Sequence, residues 1–150
     1  MSSDDELVME RPRPLVDEVS KPFWEACTRR ELAIQRCTRC CAWSYPAKLS
    51  CGECQSPELA FETVSGMGTL YSYTVQRQAF HAGFLPHIPN VVAMAELDDC
   101  PGVLLVANLV DIDVDDIAIG LSVRTDFDVR AEVTVPMFRP RHSAPRSIDE

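Results

Sequence analysis

The sequence contains no apolar run near the roughly 20 residues that a transmembrane helix requires, so we expect no membrane span. Basic residues are also few, because 14 Lys and Arg face 23 Asp and Glu, for a formal net charge of −9. Proteins that bind nucleic acid through its phosphates carry a net basic face, whereas this chain repels phosphate polymers overall. Nucleic acid is therefore a poor candidate for a partner.

We expect no secretory signal either. The N-terminal segment "MSSDDELVMERPRPLVDE" is acidic and lacks the basic region followed by an apolar stretch that marks such signals. We therefore expect the chain to remain in the cytoplasm, where thiols are kept reduced and stable disulfides are rare.

The sequence also lacks a catalytic constellation. The segment "GMG", residues 66–68, has neither the third glycine nor the strand-to-helix context of a dinucleotide-binding loop. Cys27 and Cys100 have no obvious base beside them, and a nucleophilic cysteine requires a lowered pKa or an adjacent base. We assign no catalytic residue to this chain.

Cysteine, in contrast, is abundant: the chain has seven, and five of them lie between Cys37 and Cys54. An odd number leaves one cysteine unpaired in any complete disulfide framework. Two CxxC pairs separated by a hairpin can instead wrap four thiolates around one ion, with zinc as the default and iron as an alternative. We predict a structural metal site formed by Cys37, Cys40, Cys51 and Cys54.

Two other interpretations of these cysteines are weaker. A thioredoxin-like CxxC is a single motif before a helix and does not recur a hairpin away. A catalytic zinc keeps one coordination position open, whereas four cysteines close the shell.

Basic residues surround the cysteine pairs. Arg36, Arg39 and Lys48 can offset the negative charge of the thiolates, or they can receive a phosphate-bearing ligand or an acidic partner. The sequence leaves both roles open.

The remaining pattern indicates a mainly β protein. From Phe61 onward, five segments rich in Val, Thr, Tyr and Phe are separated by turn signals: "TLYSYTVQRQ", "NVVAMAEL", "GVLLVANLV", "SVRTDFDV" and "EVTVPMFR". One helical turn ended by Gly120 is expected between the third and fourth segments. Five strands with a short helix at that place have the connectivity of an OB-fold barrel.

We divide the chain into five parts. They are a flexible or partner-ordered acidic arm at 1–20, a helix at 21–31, the cysteine ribbon at 32–60, the barrel at 61–140 and a flexible tail at 141–150.

The first barrel loop, "QAFHAGFLPHIPN", is rich in large apolar side chains that are costly to expose alone. We therefore predict that Phe80, His81, Phe84 and His87 contact a partner or line a substrate channel. A general acid–base role for one of the two histidines stays open, although no suitable nucleophile lies at a fixed spacing from either.

Several stretches together resemble a known family: "PFWEACTRRELAIQRCTRC", "CGEC", "SGMGTLYSYTVQRQAFHAGF", "PNVVAMAELDD" and "IGLSVRTDF" followed by "VPMFRP". Over about residues 20–140 the chain is similar to the zinc-ribbon plus OB-fold acyl-CoA-associated proteins, long catalogued as a domain of unknown function. The resemblance implies a rubredoxin-like zinc ribbon before a five-stranded OB-fold barrel. It places the zinc ligands on the same four cysteines.

The resemblance also implies a function. Members are non-catalytic subunits that bind a thiolase-fold enzyme, and in some systems a hydratase, in complexes that handle acyl-CoA thioesters through a shared CoA channel. We expect the partner to be an aldolase, a retro-aldol lyase of steroid or lipid side-chain degradation. A thiolase, acyltransferase or acyl-CoA hydratase complex is the alternative.

Two rivals come from other classes of protein. OB-fold barrels and zinc ribbons also serve as single-stranded nucleic-acid-binding modules, although the charge of this chain opposes that role. An autonomous acyl-CoA enzyme would need a catalytic constellation that the sequence does not show.

This chain departs from the family pattern at three positions. Glycine commonly follows the second cysteine of each pair, where the backbone turns left-handed, but Cys41 and Gln55 stand here. We expect a penalty of about 1 kcal/mol at each site. The usual aromatic residue is also replaced by Asn90.

Overall fold

The structure is a computed structural model that describes residues 10–142. One α-helix and eight strands follow in order: α1 (Lys21–Thr28), β1 (Leu32–Cys37), β2 (Trp43–Ser44), β3 (Leu59–Val64), β4 (Met67–Gln76), β5 (Asn90–Leu97), β6 (Leu104–Leu109), β7 (Ser122–Val129) and β8 (Thr134–Pro140). Short 3-10 helices lie at Ala82–His87 and Val114–Asp116. No helix in the described part is long and apolar enough to cross a membrane. The expected tail from residue 143 onward lies outside the described residues.

Helix α1 begins where the sequence predicts, with proline in its first turn. Its inner face buries Phe23, Ala26 and Cys27. The helix ends at Thr28 rather than at residue 31, because Arg30 turns into the left-handed region with φ of 59°.

The cysteine module is built on a three-stranded sheet in the order β2-β1-β3. The central strand, β1, pairs with β3 in an unbroken antiparallel register from Leu32↔Val64 to Cys37↔Leu59. The sequence pattern does not predict β3, because "LAFETV" has only a weak apolar alternation at the edge of the sheet. The expected division at 60/61 falls inside this strand, and we propose to set it after Val64.

The second sheet closes into a barrel in the order β4-β5-β6-β8-β7. Only β6 and β8 pair in parallel, through Asn108↔Met137 and Leu109↔Phe138, while the other barrel pairs are antiparallel. This strand order, with the 3-10 turn Val114–Asp116 between the third and fourth barrel strands, is that of an OB-fold. The predicted mainly β fold is therefore confirmed.

One hydrophobic core joins the helix, the ribbon and the barrel. Barrel residues such as Phe138 and Leu105 belong to the same buried cluster as Phe23 of α1 and Ile34 of β1. The ribbon alone is too short to bury a core of its own, so it packs through β1 and α1 onto the barrel. The position of the four cysteines is consequently fixed relative to the barrel.

The sequence predicts a flexible or partner-ordered arm, whereas described residues of the arm contact the barrel of the same chain. Arg11 forms an ion pair with Asp128 of β7 over 2.8 Å, with both side chains partly shielded from water. Residues 10–13 therefore contact the barrel, and the first nine residues lie outside the described part of the chain.

Replacing Phe138 with alanine should lower the free energy of unfolding by about 3–5 kcal/mol, because its fully buried ring leaves a cavity. The matched Phe80→Ala variant removes a ring that is 83% exposed and should change stability by less than about 0.5 kcal/mol. Urea unfolding of the two variants checks this, and equal losses would contradict the core assignment.

Candidate metal centre and partner-contact residues

The structure brings the four predicted metal ligands together. The sulfur atoms of Cys37, Cys40, Cys51 and Cys54 all lie within 4.8 Å of one another. The Cys37–Cys54 and Cys40–Cys51 sulfur pairs are 3.6 and 3.5 Å apart. A tetrahedral ion with metal–sulfur bonds of about 2.3 Å requires sulfurs about 3.8 Å apart. The cluster can therefore hold a metal ion.

Two turns of the same geometry present these sulfurs. The amide of Cys41 donates to the carbonyl of Cys37, and the amide of Gln55 donates to that of Cys51, each over 3.0 Å. The amide of the first cysteine in each pair donates to the carbonyl five residues later, over 2.9 and 2.8 Å. Two matching turns place four sulfurs around one point.

Backbone amides favour the ionised form of two of the thiols. Bonds from the amides of Cys54 and Glu53 lower the pKa of Cys51 to about 6. The amide of Cys40 likewise lowers the pKa of Cys37. This pattern suits a thiolate site that binds a cation.

Cys40 shows the opposite tendency. The backbone of Ala42 acts to lower its pKa, but the neighbouring thiols of Cys51, Cys54 and Cys37, together with desolvation, raise the pKa to about 12. A fourth negative charge next to three sulfurs is unfavourable, and a divalent cation removes that repulsion. The donor set therefore fits a metal such as zinc.

We call the two CxxC turns, residues 37–41 and 51–55, the knuckles. The two residues that replace glycine in the knuckles adopt the left-handed conformation. Cys41 has φ of 65° and Gln55 has φ of 61°. The strain expected at these positions is thus present in the backbone.

Two of the three predicted basic residues also form hydrogen bonds within the ribbon. Arg36 donates from Nε to the carbonyl of Cys41 over 2.9 Å and lies 4.5 Å from the ring centroid of Trp43. The backbone of Lys48 exchanges two bonds with the side chain of Gln35, of 2.7 and 2.9 Å. Arg39, in contrast, is exposed in the first knuckle.

The predicted contact loop is ordered around a 3-10 helix. We define the β4–β5 loop as residues 77–89. His81 accepts the amide hydrogen of Gly83 at Nδ1 over 3.0 Å, and its ring meets Phe84 edge-on at 6.4 Å. His87 is exposed, and its pKa is lowered by desolvation and by the charge of Arg11. Phe80 and Leu85 are 83% and 65% exposed.

A cleft of about 370 Å³ lies between α1, the ribbon and the outer face of the barrel. Its walls include Trp24, Tyr45, Phe84 and Val106. Nothing in the sequence predicts the half-buried Trp24 and Tyr45 as cleft residues, because aromatic side chains beside a short module usually indicate core packing. We refer to this space as the α1–barrel cleft.

Asn90 belongs to a hydrogen-bonded row at the rim of this cleft. Its Nδ2 donates to Oε1 of Gln76 over 3.2 Å, and its Oδ1 accepts from Nδ2 of Asn108 over 2.8 Å. The three amides come from β4, β5 and β6. An asparagine suits this position because both neighbouring strands present matching amides.

Comparisons with known proteins identify the family. A family model described as "ChsH2, C-terminal OB-fold domain" matches residues 61–128. A solved structure, "Ltp2-ChsH2(DUF35) aldolase", is 37% identical with a TM-score of 0.78, covering 85% of this chain and 98% of that chain. The chain belongs to the DUF35 family of ChsH2-like proteins.

Two further proteins are similar to this chain. A "Probable enoyl-CoA hydratase alpha subunit" from Thermomonospora curvata is 38% identical over 131 residues, which is 87% of this chain. The DUF35 chain spans only 40% of that protein's length. A DUF35 protein of unknown function from Sulfolobus solfataricus shares the fold, with 12% identity, a TM-score of 0.58, and coverage of 83% and 87%.

Replacing Cys51 with serine should abolish metal binding, because the knuckles then offer three thiolates instead of four. We expect the metal content to fall from about one ion per chain to near zero. The control Cys41→Ser removes an exposed thiol outside the cluster and should keep the metal. Elemental analysis of the purified variants checks this, and full metal content in Cys51→Ser would contradict the assignment.

Replacing Gln55 with glycine should raise the free energy of unfolding of the metal-loaded chain by about 0.5–1 kcal/mol. Glycine adopts a left-handed φ without the steric penalty of a Cβ atom. Gln55→Ala keeps that penalty and should give no gain. Chemical denaturation of both variants tests the difference, and equal stabilities would show that the turn is unstrained.

Proposed function

We propose that this DUF35 chain is a non-catalytic accessory subunit that carries one structural zinc ion and docks on a thiolase-fold acyl-CoA enzyme in the cytoplasm. The observation that carries the proposal is the 37% identity to a chain of a solved aldolase assembly, of which the match covers 98%. The partner we favour is a retro-aldol lyase of steroid or lipid side-chain degradation.

Zinc is the proposed ion because four thiolates close a tetrahedral shell that needs no redox chemistry. The ion would hold the two knuckles together on a module that lacks its own core. Zinc in this site stabilises the ribbon and leaves no position for a substrate.

The partner would provide the catalytic groups. Burial raises the pKa of both Cys27 and Cys100 to about 11, which keeps these thiols protonated at neutral pH. His81 already accepts a backbone amide hydrogen at Nδ1. Burial of the two thiols and the hydrogen bond of this histidine indicate structural roles for all three side chains.

The docking surface we propose has two parts. The β4–β5 loop exposes Phe80 and Leu85, which are apolar side chains of the kind that anchor protein interfaces. Phe84, on the same loop, lines the α1–barrel cleft together with Tyr45 of the ribbon. The loop and the ribbon thus meet at one continuous surface.

A CoA thioester is the proposed ligand of the complex, not of this chain alone. The ribbon and the β4–β5 loop would form part of the channel wall. Arg39 is exposed and positively charged, so it can meet a CoA phosphate there. Arg36, Lys48 and His87 complete the proposed contact set.

An acyl-CoA hydratase complex is the second candidate. It is supported by the name of the Thermomonospora curvata relative, a probable hydratase alpha subunit of which this chain matches a part. In that arrangement the same docking surface would contact a hydratase domain.

Nucleic-acid binding receives less support. The outer sides of β5 and β6 carry Val92, Met94 and Val106, which are apolar residues that are half-buried or about half exposed. Single-stranded binding grooves require basic side chains alternating with aromatic platforms.

Affinity purification of the tagged chain from its host, with mass spectrometry and metal analysis, tests the proposal. We expect a thiolase-fold enzyme in near-equal amount, and a recovery about tenfold lower for Phe80→Ser, because buried aromatic anchors dominate interfaces. The control Ile119→Ser changes a residue that is 63% exposed outside the β4–β5 loop and should not affect recovery.

The identity of the recovered enzyme separates the candidates. A hydratase without a thiolase-fold enzyme would select the second candidate. Recovery of the zinc-loaded chain without any CoA enzyme would contradict both.

A further inference from the structure

We propose that residues 10–13 of the N-terminal arm form a strap that fixes the conformation of the β4–β5 loop by tying it to the β7–β8 hairpin. Its role in positioning the docking surface rests on the proposed function, whereas the strap itself is a property of the free chain. Three elements far apart in sequence meet here: residues 10–13, the 3-10 helix Ala82–His87, and the chain from Asp128 to Glu132.

Gly83 shows how closely the arm approaches the loop. A Cβ atom at this position would lie 2.6 Å from the carbonyl oxygen of Glu10 and 2.7 Å from the amide nitrogen of Arg11. Both are backbone atoms, which cannot move aside as the end of a flexible side chain can. Only glycine lets the arm lie directly on the 3-10 helix.

The loop side of this contact is itself fixed. The amide of Gly83, the residue beneath the arm, donates to Nδ1 of His81 at the start of the 3-10 helix. The imidazole of His81 also packs against Phe84. A shift at Gly83 would therefore be transmitted to the side chains that form the loop surface.

Ion pairs attach the other side of the arm to the barrel. Arg11 binds Asp128 over 2.8 Å, and Asp128 also accepts from Arg130 over 3.1 Å. Arg13 pairs with Glu132 in the β7–β8 turn. The Arg11 and Asp128 side chains are only 19% and 30% exposed, so water screens their charges less than at an open surface.

Charge balance distinguishes a strap from an anion-binding site. A space of about 200 Å³ between these elements is lined by Arg11, Arg13 and Arg130. Three carboxylates, those of Glu10, Asp128 and Glu132, pair with these three guanidinium groups. The arginines are used within the chain, so the cluster serves as an intramolecular fastening.

Two variants test the strap from opposite sides in the full-length, zinc-loaded chain. Asp128→Asn alters the barrel and is read at the loop, by hydrogen exchange of the backbone amides of residues 81–85 and 87. Gly83→Ala alters the loop and is read at the arm, by Glu-C protease cleavage of the Glu10–Arg11 bond. In each case the substituted residue lies outside the segment whose rate is measured.

We expect each substitution to raise its measured rate about fivefold or more, because opening of the arm exposes both segments. The control Asp98→Asn removes a carboxylate that pairs with Arg141 over 3.7 Å at a more exposed site. It should leave both rates unchanged. If Asp128→Asn speeds cleavage at Glu10 but leaves the loop amides protected, the arm does not set the loop conformation and the proposal fails.

Capture of the thiolase-fold enzyme separates this inference from the proposed function. Faster loop exchange in Asp128→Asn with weaker capture supports the strap as a positioning element. Faster loop exchange with unchanged capture supports the strap and contradicts docking through the β4–β5 loop. Unchanged exchange with weaker capture in Phe80→Ser supports docking and overturns the strap.

Discussion

Four thiolates within 4.8 Å of one another form the constraint on which the ribbon depends. They repel one another when ionised, and the two knuckles around them have little buried apolar surface to hold them together. A divalent cation held by these cysteines would turn this repulsion into attraction, and it would help a module of fewer than 35 residues to remain folded. A metal bound there would substitute for a hydrophobic core.

The ribbon is nevertheless not independent of the barrel. Strand β1 carries the first metal ligand at its end and also buries Leu32 and Ile34 in the common core. Helix α1 completes the connection, since Phe23 packs in the same cluster and touches the ring of Tyr45 at 5.7 Å. The metal centre, the α1–barrel cleft and the barrel therefore keep fixed relative positions.

The elements with strong local signals were predictable from the sequence. The CxxC spacing identified the cluster, and the Val-rich segments identified the five barrel strands with their OB-fold order. The left-handed turns at Cys41 and Gln55 followed from the family resemblance.

Features that depend on distant contacts were not predictable. Strand β3 is defined by its long register with β1 rather than by its own pattern. The contact of the arm with Gly83 joins residues more than 70 positions apart, and a glycine in a loop usually indicates only a turn. Local charge and periodicity carry no information about such pairings.

The amide row of Gln76, Asn90 and Asn108 has a consequence for how the barrel strands align. Side chains alternate between the two faces of a strand, so a slip of one residue in β5 would turn Asn90 toward the apolar interior and bring Val91 out. It would also break both side-chain bonds and leave a buried amide without a partner. The three amides therefore favour the native register of the barrel strands over registers shifted by one residue.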